Sequence, residues 1–183
     1  MAPAHLPPPH HVPVTVRGAQ RRDAGAIAAI YNQGIRDRGA TFETRERTVA
    51  DILSWFDPAP GPVILPEHPF LVAEREGRVC GWIHASLYRA RDAYRRIAEY
   101  SVYVADDARG IGVGDALMTA FLPACEQHGI TKLVARIFPE NCASLSLCAR
   151  HGFRVVGTYE KHATLDGVWR DVVVVERLFP ANL

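Results

Sequence analysis

The chain has 183 residues, 48% of them hydrophobic and 22% charged, with a formal net charge of +1 at pH 7. That length accommodates one domain with a full core, and interspersed charges of both signs argue against a nucleic-acid partner or a membrane surface. The longest apolar runs fall well short of the roughly 20 residues a membrane-spanning helix needs.

The opening segment "MAPAHLPPPHHVP" (residues 1–13) carries five prolines and no periodicity, so it is expected to be a disordered extension. It has neither the basic start nor the apolar run of a secretory signal. A single domain is expected over residues 14–180, beginning with the short strand "VTVRGA". Asp23 then reads as a helix N-cap, followed by Ile27, Ile30, Tyr31 and Ile35 at helical spacing. After the polar loop "RDRGATFETRE", Thr48 caps a short helix carrying Val49, Ile52, Leu53 and Phe56, which "DPAPGP" should end.

"PFLVAERE" and "RVCGWIHASLYRA" read as two strands joined at Gly77, and "IAEYSVYVA" as a third after "RDAYRR". A helix near 113–128, the strand "KLVARIF", a helix over 141–152 and the strands "FRVVGTYEK" and "VWRDVVVVERL" complete the chain. Pro123 should kink the first of these helices. The order β-α-α-β-β-β-α-β-α-β-β implies an α/β (α+β) fold, a mixed, mostly antiparallel sheet flanked by helices. Cys80, Cys125, Cys142 and Cys148 lack CxxC spacing, so reduced thiols in a cytoplasmic protein are expected. Eight histidines without ligand spacing give no reason to expect a metal site.

The stretch "RGIGVG" (residues 109–114) lies between a strand and a helix. Glycines there let successive N–H groups face an anion at a helix N-terminus. A dinucleotide fingerprint would need its third glycine one place later and an earlier position in the chain. A P-loop would end in GK[ST], whereas Asp115 and Ala116 follow here. By themselves the glycines are equally compatible with an ordinary tight turn.

Arg109-x-x-Gly112-x-Gly114 resembles the Q/R-x-x-G-x-G/A element of the GCN5-related N-acetyltransferases, and "NCASLSLCARHGF" resembles that superfamily's N-x-x-S-x-x-L-x-x-x-x-G-F signature. Asn141, Ser144, Leu147, Gly152 and Phe153 take the matching positions. "RARDAYRRIAEYSVYV", "YNQGI…ATFET" and "DGVWRDV" further resemble the phosphinothricin, methionine sulfoximine and arsinothricin acetyltransferases. The resemblance implies the acetyltransferase (GNAT) fold, acetyl-CoA as cosubstrate, and a small amino-acid-like amine as acceptor. It also implies acetylation of an α-amino group as detoxification, and a homodimer formed through the C-terminal strands, where "VVVV" (172–175) lies.

On that resemblance the cofactor is held by Val102, Tyr103, Val104, Arg109, Gly110, Ile111, Gly112, Val113, Gly114, Asp115 and Asn141, largely by main chain. Asn141 also reads as a helix N-cap. The acceptor site falls at Arg89, Ala90, Arg91, Glu99, Tyr100 and Ser101. Glu99, the one acid in its strand, is the expected general base, with burial raising its pKa; residue types alone fit equally well an ion pair with Arg95 or Arg96. Period 2 aims Arg89 and Arg91 the same way, to bind an oxyacid or to form a solvated basic edge. Phe42 is a candidate wall of that pocket. Cys148 stands where many members of the superfamily carry a tyrosine acid; packing is its expected role, leaving water or Tyr103 as proton source if one is needed. The competing readings are acetylation of a polyamine, an aminoglycoside or a protein N-terminus, and a sensor that binds acyl-CoA without catalysis.

Overall fold

The computed structural model describes residues 13–57 and 68–183. The extension read at residues 1–13 therefore lies, save Pro13, outside the described residues, as does the proline-rich end of the second helix. In chain order the elements are β1 (Thr15–Gly18), α1 (Ala24–Asp37), α2 (Val49–Leu53) with a 3-10 turn at Ser54–Phe56, β2 (Phe70–Arg75), β3 (Arg78–Leu87) and β4 (Ile97–Val104). Then come α3 (Val113–Gln127), β5 (Lys132–Ile137), α4 (Cys142–Arg150), β6 (Arg154–Leu165) and β7 (Val168–Leu178). This is the order the hydrophobic periodicity implies.

The strands form one seven-stranded sheet in the order β1-β2-β3-β4-β5-β7-β6. Every neighbouring pair is antiparallel except β4–β5. Alternation along β4 sends Tyr100 to the α3–α4 side, where its ring meets Phe121 and Phe153. Tyr103 points to the opposite side, toward Tyr31 on α1 and Trp82 on β3. On the α3 side Leu117, Met118 and Phe121 are fully buried, each contributing about 1.5–3 kcal/mol by leaving water. Across the sheet Trp82 is equally buried, edge-on to Tyr31 at 5.6 Å and stacked on Tyr103 at 4.8 Å. Gly34 lets α1 come this close, because a Cβ there would stand 2.6 Å from the Tyr103 ring.

Local chemistry sets the element ends. Thr48 caps α2 as expected, accepting from the Asp51 N–H while Asp51 accepts in return from the Thr48 N–H. Asp23 takes the N-cap position of α1 as expected, but its side chain makes no capping bond: it closes a preceding 3-10 turn and takes hydrogen bonds from Gln20 N–H and the Arg17 guanidinium. A two-residue turn with positive φ at Glu76 (54°) and Gly77 (74°) joins β2 to β3. α3 continues through Pro123, whose exposed ring and the exposed Thr119 four residues earlier leave the unpaired carbonyl to water. β6, exposed along nearly its whole length, is the outer strand, and "VVVV" lies in β7 between β5 and β6.

Candidate active site

The parallel pair β4–β5 is joined over only three residue pairs, the last being Glu99 with Val134. Beyond it the strands part around a gap of about 60 Å³ lined by Ser101, Val102, Ala135, Arg136 and Asn141, among others. The Ala105 N–H donates to the Cys80 carbonyl, so alternation along the antiparallel pair turns the main-chain groups of Val102 and Val104 away from β3 and into this gap. The Val104 carbonyl accordingly accepts from Arg109 Nε at 3.4 Å.

The gap leads into a cleft of about 640 Å³ at the start of α3. Gly110 (φ 76°) and Gly112 (φ 90°) hold left-handed conformations there, and no atom would stand within 4 Å of a Cβ on either. The Ala116 N–H is taken by the Gly112 carbonyl; those of Val113, Gly114 and Asp115, in the helix's first turn, have no such partner and face the cleft with the positive end of the dipole. Gly114 has a different reason to lack a side chain, since its Cβ would touch Leu147 of α4 at 3.4 Å. The exposed Ile111 does not line the cleft.

Two guanidiniums flank this cradle. Arg109 is held by Asp37 at 2.9 Å and Asp106 at 2.6 Å. Arg150 is held by Asp115, which also pairs with His151; Arg150 chiefly, then His151, keeps the Asp115 carboxyl below the usual carboxylate range. Asp37 and Arg150 have no sequence signal separating them from other helical charges. Asn141 caps α4 through Oδ1 to the Ser144 N–H, while its Nδ2 donates to the Gly39 carbonyl across the cleft.

Glu99 is half-buried at the fork and accepts two hydrogen bonds from Arg136, Nε to Oε1 at 2.9 Å and Nη2 to Oε2 at 2.5 Å. The alternative reading of an ion pair with Arg95 or Arg96 is thereby corrected in its partner: Arg95 bonds Asp92, and Arg96 bonds the Gly129 carbonyl. The carboxylate raises the Arg136 pKa above its ordinary value. Nothing in "KLVARIF" marks Arg136, whose relevance comes from strand pairing alone.

β3 ends at Leu87, so Arg89, Ala90 and Arg91 occupy an exposed loop instead of the strand expected to align both arginines. The Arg91 N–H turns back to the Arg89 carbonyl at 2.8 Å, and the Arg89 guanidinium lies 5.4 Å from the Tyr88 ring centroid. Neither guanidinium has an acidic partner among the described residues. The Tyr100 side chain is buried on the helix side, its hydroxyl 2.8 Å from Cys148 Sγ. Burial raises the pKa of both groups, so Cys148 is a packed core thiol. Ser101 is exposed on the Glu99 side of β4. Phe42 meets Phe138 edge-on at 4.8 Å, and the hairpin tip closes over that side through Arg38–Asp166. On the same face His84, facing Ser101 across β3–β4, stacks on Trp55 and is pushed down to about 4 by burial.

Among the described residues no three His, Cys, Asp or Glu side chains are grouped to hold a metal, and no helix is long and apolar enough to cross a membrane. A family model described as the acetyltransferase (GNAT) family matches residues 28–153. A phosphinothricin N-acetyltransferase from Alcaligenes faecalis is 36% identical over 89% of this chain and 81% of its own length. An L-methionine sulfoximine/L-methionine sulfone acetyltransferase from Pseudomonas paraeruginosa is 31% identical over 88% and 92%. Among solved structures, a GNAT superfamily phosphinothricin acetyltransferase from Sinorhizobium meliloti, in complex with acetyl-CoA, is 30% identical with a TM-score of 0.82, covering 90% of this chain and 88% of that one.

Proposed function

Because this chain belongs to the acetyltransferase (GNAT) family and is an acetyl-CoA-dependent N-acetyltransferase, we propose that it acetylates the α-amino group of a small glutamate-like amino acid by direct transfer, with Glu99 as general base. What carries the reading is Glu99: it stands at the last rung of β4–β5, where the sheet opens into the cleft.

The residues suit acetyl-CoA. The N–H groups over Gly110–Asp115 and the helix dipole fit a diphosphate, and an approach this close is possible because Gly110 and Gly112 carry no side chain. Arg109 and Arg150 add positive charge once released from their carboxylates. The turned-out main chain of Val102 and Val104 fits the amides of the pantetheine arm as another strand would, and Asn141 lies beside it. Bound here, acetyl-CoA supplies the acyl group as a thioester. Glu99 takes one proton from the acceptor ammonium, freeing the nitrogen lone pair to form the C–N bond as the C–S bond breaks, and solvent takes the second N–H proton that the amide sheds. A β4 main-chain N–H stabilises the carbonyl oxygen as charge gathers on it. The departing thiolate is about as basic as an ordinary thiol and takes its proton from solvent, so neither the buried Cys148 nor Tyr103 is required as an acid. Arg89 and Arg91, exposed and without acidic partners among the described residues, suit the acceptor's phosphinate, sulfoximine or arsinyl end, and Phe42 walls the pocket. Acetylating such an analogue removes its α-ammonium charge and would detoxify it.

The test is thiol release from acetyl-CoA over a panel of phosphinothricin, methionine sulfoximine, spermidine and a short peptide. The amino acids should be turned over and the polyamine not, and Glu99→Gln should lower kcat by about 10²-fold or more. Full kcat in Glu99→Gln, or acetyl-CoA binding with no amino acid of the set acetylated, defeats the reading. Four free cysteines, three of them buried, suit a reducing cytoplasm. The exposed Val155, Val156 and Tyr159 of β6 suit pairing with a second copy, which light scattering would read as a dimer and which charged substitutions at Val155 and Tyr159 should abolish.

A further inference from the structure

The Glu99–Arg136 pair has the shape of an occupied zwitterion site. Both carboxylate oxygens and two guanidinium nitrogens are engaged, so the two charges are paired with each other in a bidentate geometry. Yet the pair is open to a small molecule, the Glu99 side chain being 22% exposed and that of Arg136 47%. It lies at the fork, with Arg136 lining the gap and Ser101 beside it, and the Tyr88 and Tyr159 phenols near the guanidinium. An ammonium ion arriving at Glu99 has to compete with Arg136, which already holds both carboxylate oxygens. Releasing one partner alone would leave the other charge half-buried and unpaired.

We infer that Arg136 is the α-carboxylate receptor of the acceptor site, and that substrate enters by exchanging its own ion pair for the Glu99–Arg136 pair. In an α-amino acid the nitrogen and the carboxylate carbon lie about 2.5 Å apart. Such a ligand can therefore present its ammonium to Glu99 and its carboxylate to Arg136 at once. Two charges of each sign are present before and after, and none is left unpaired. An amine without the carboxylate leaves the Arg136 guanidinium facing its own positive charge, a built-in penalty against polyamines and simple amines. Selectivity for free α-amino acids then resides in Arg136, separately from the side-chain end at Arg89 and Arg91. The inference rests on Glu99 being the acceptor-side base proposed above.

The test compares phosphinothricin with its decarboxylated counterpart, 3-aminopropyl(methyl)phosphinic acid, on wild type, Arg136→Met and Arg136→Lys. Wild type should prefer the amino acid by roughly 10- to 100-fold in kcat/KM, the loss expected for one charge-assisted interaction. Arg136→Met should erase that preference by raising KM for the amino acid and, with the guanidinium's repulsion gone, lowering it for the decarboxylated amine. Arg136→Lys should keep part of it. If Arg136→Met instead lowers kcat equally for both amines, Arg136 only holds Glu99 in place and the inference is wrong. Binding is followed apart from turnover, as the rise in thermal midpoint on adding each amine. Carboxylate-dependent binding that vanishes in Arg136→Met, without acetyl transfer in wild type, upholds this inference and overturns the proposed chemistry. Acetyl transfer to both amines at equal efficiency does the reverse.

Discussion

Gly112→Ala separates what the glycine loop does for the fold from what it does for the cosubstrate. Gly112 sits at φ 90°, and an added Cβ would have no protein atom within 4 Å. The stability cost is therefore conformational alone, about 1 kcal/mol for alanine in the left-handed region. For a chain of this size that lowers the thermal midpoint by roughly 2–4 °C. The Cβ would, however, project into the space through which the N–H groups of α3 reach an anion. Losing one hydrogen bond to a charged phosphate corresponds to about 1.5–3 kcal/mol, so KM for acetyl-CoA should rise roughly 10- to 100-fold. Gly77→Ala is the matched control: φ is 74°, the surroundings are equally open, and the turn joins β2 to β3 outside the cleft. It should share the midpoint loss and leave KM unchanged. Thiol-release kinetics and thermal unfolding of both variants decide the matter. Equal midpoint losses with KM for acetyl-CoA within twofold of wild type in Gly112→Ala would show that the loop is only a turn.

Gly34→Ala should act in the opposite way, through sterics. Its Cβ would stand 2.6 Å from the Tyr103 ring, which is wedged between Tyr31 and Trp82, so overpacking should cost about 1–3 kcal/mol, read by denaturant unfolding. Tyr100→Phe removes the partner of the Cys148 thiol and should cost about 1 kcal/mol while leaving kcat unchanged. A tenfold fall in kcat would instead give that buried pair a part in proton transfer. The pKa of His84 is pushed from 6.5 to about 4, chiefly by burial and then by the repulsion His68, itself shifted down, exerts when protonated. The unfolded chain then binds more protons between these values. Stability that is full above pH 6.5 should be lost progressively as pH falls toward 4, by about 3 kcal/mol at most, and His84→Phe should flatten that slope in urea titrations.

The element order was readable in advance because apolar residues repeat at helical spacing in α1, α3 and α4 and at strand spacing or in continuous runs between them. The left-handed turn at Gly110 and Gly112 was readable for the same local reason: these glycines and the start of α3 adjoin in sequence. Partners chosen across the sheet were not. Arg95 and Arg96 stand near Glu99 in the chain, but they lie in the turn before β4 and bond Asp92 and the Gly129 carbonyl, while Arg136 arrives from a parallel neighbour 37 positions on. Periodicity carried β3 three residues too far, to Ala90, since nothing in "SLYRA" marks the turn back of the Arg91 N–H. Asp23 likewise has the composition of a cap, yet Arg17 and Gln20 claim it first.

Only three rungs join β4 to β5, so the sheet consists of two plates, β1 to β4 and β5 to β6, seamed along a short stretch and gaping elsewhere. A ligand whose amides bridge that mouth does for the plates what a further strand would do, completing a ladder the polypeptide leaves unfinished. On the proposed seating of acetyl-CoA, stiffness across the seam should come and go with each catalytic cycle: loading the cosubstrate would knit the halves together, and releasing the product would loosen the same stitches.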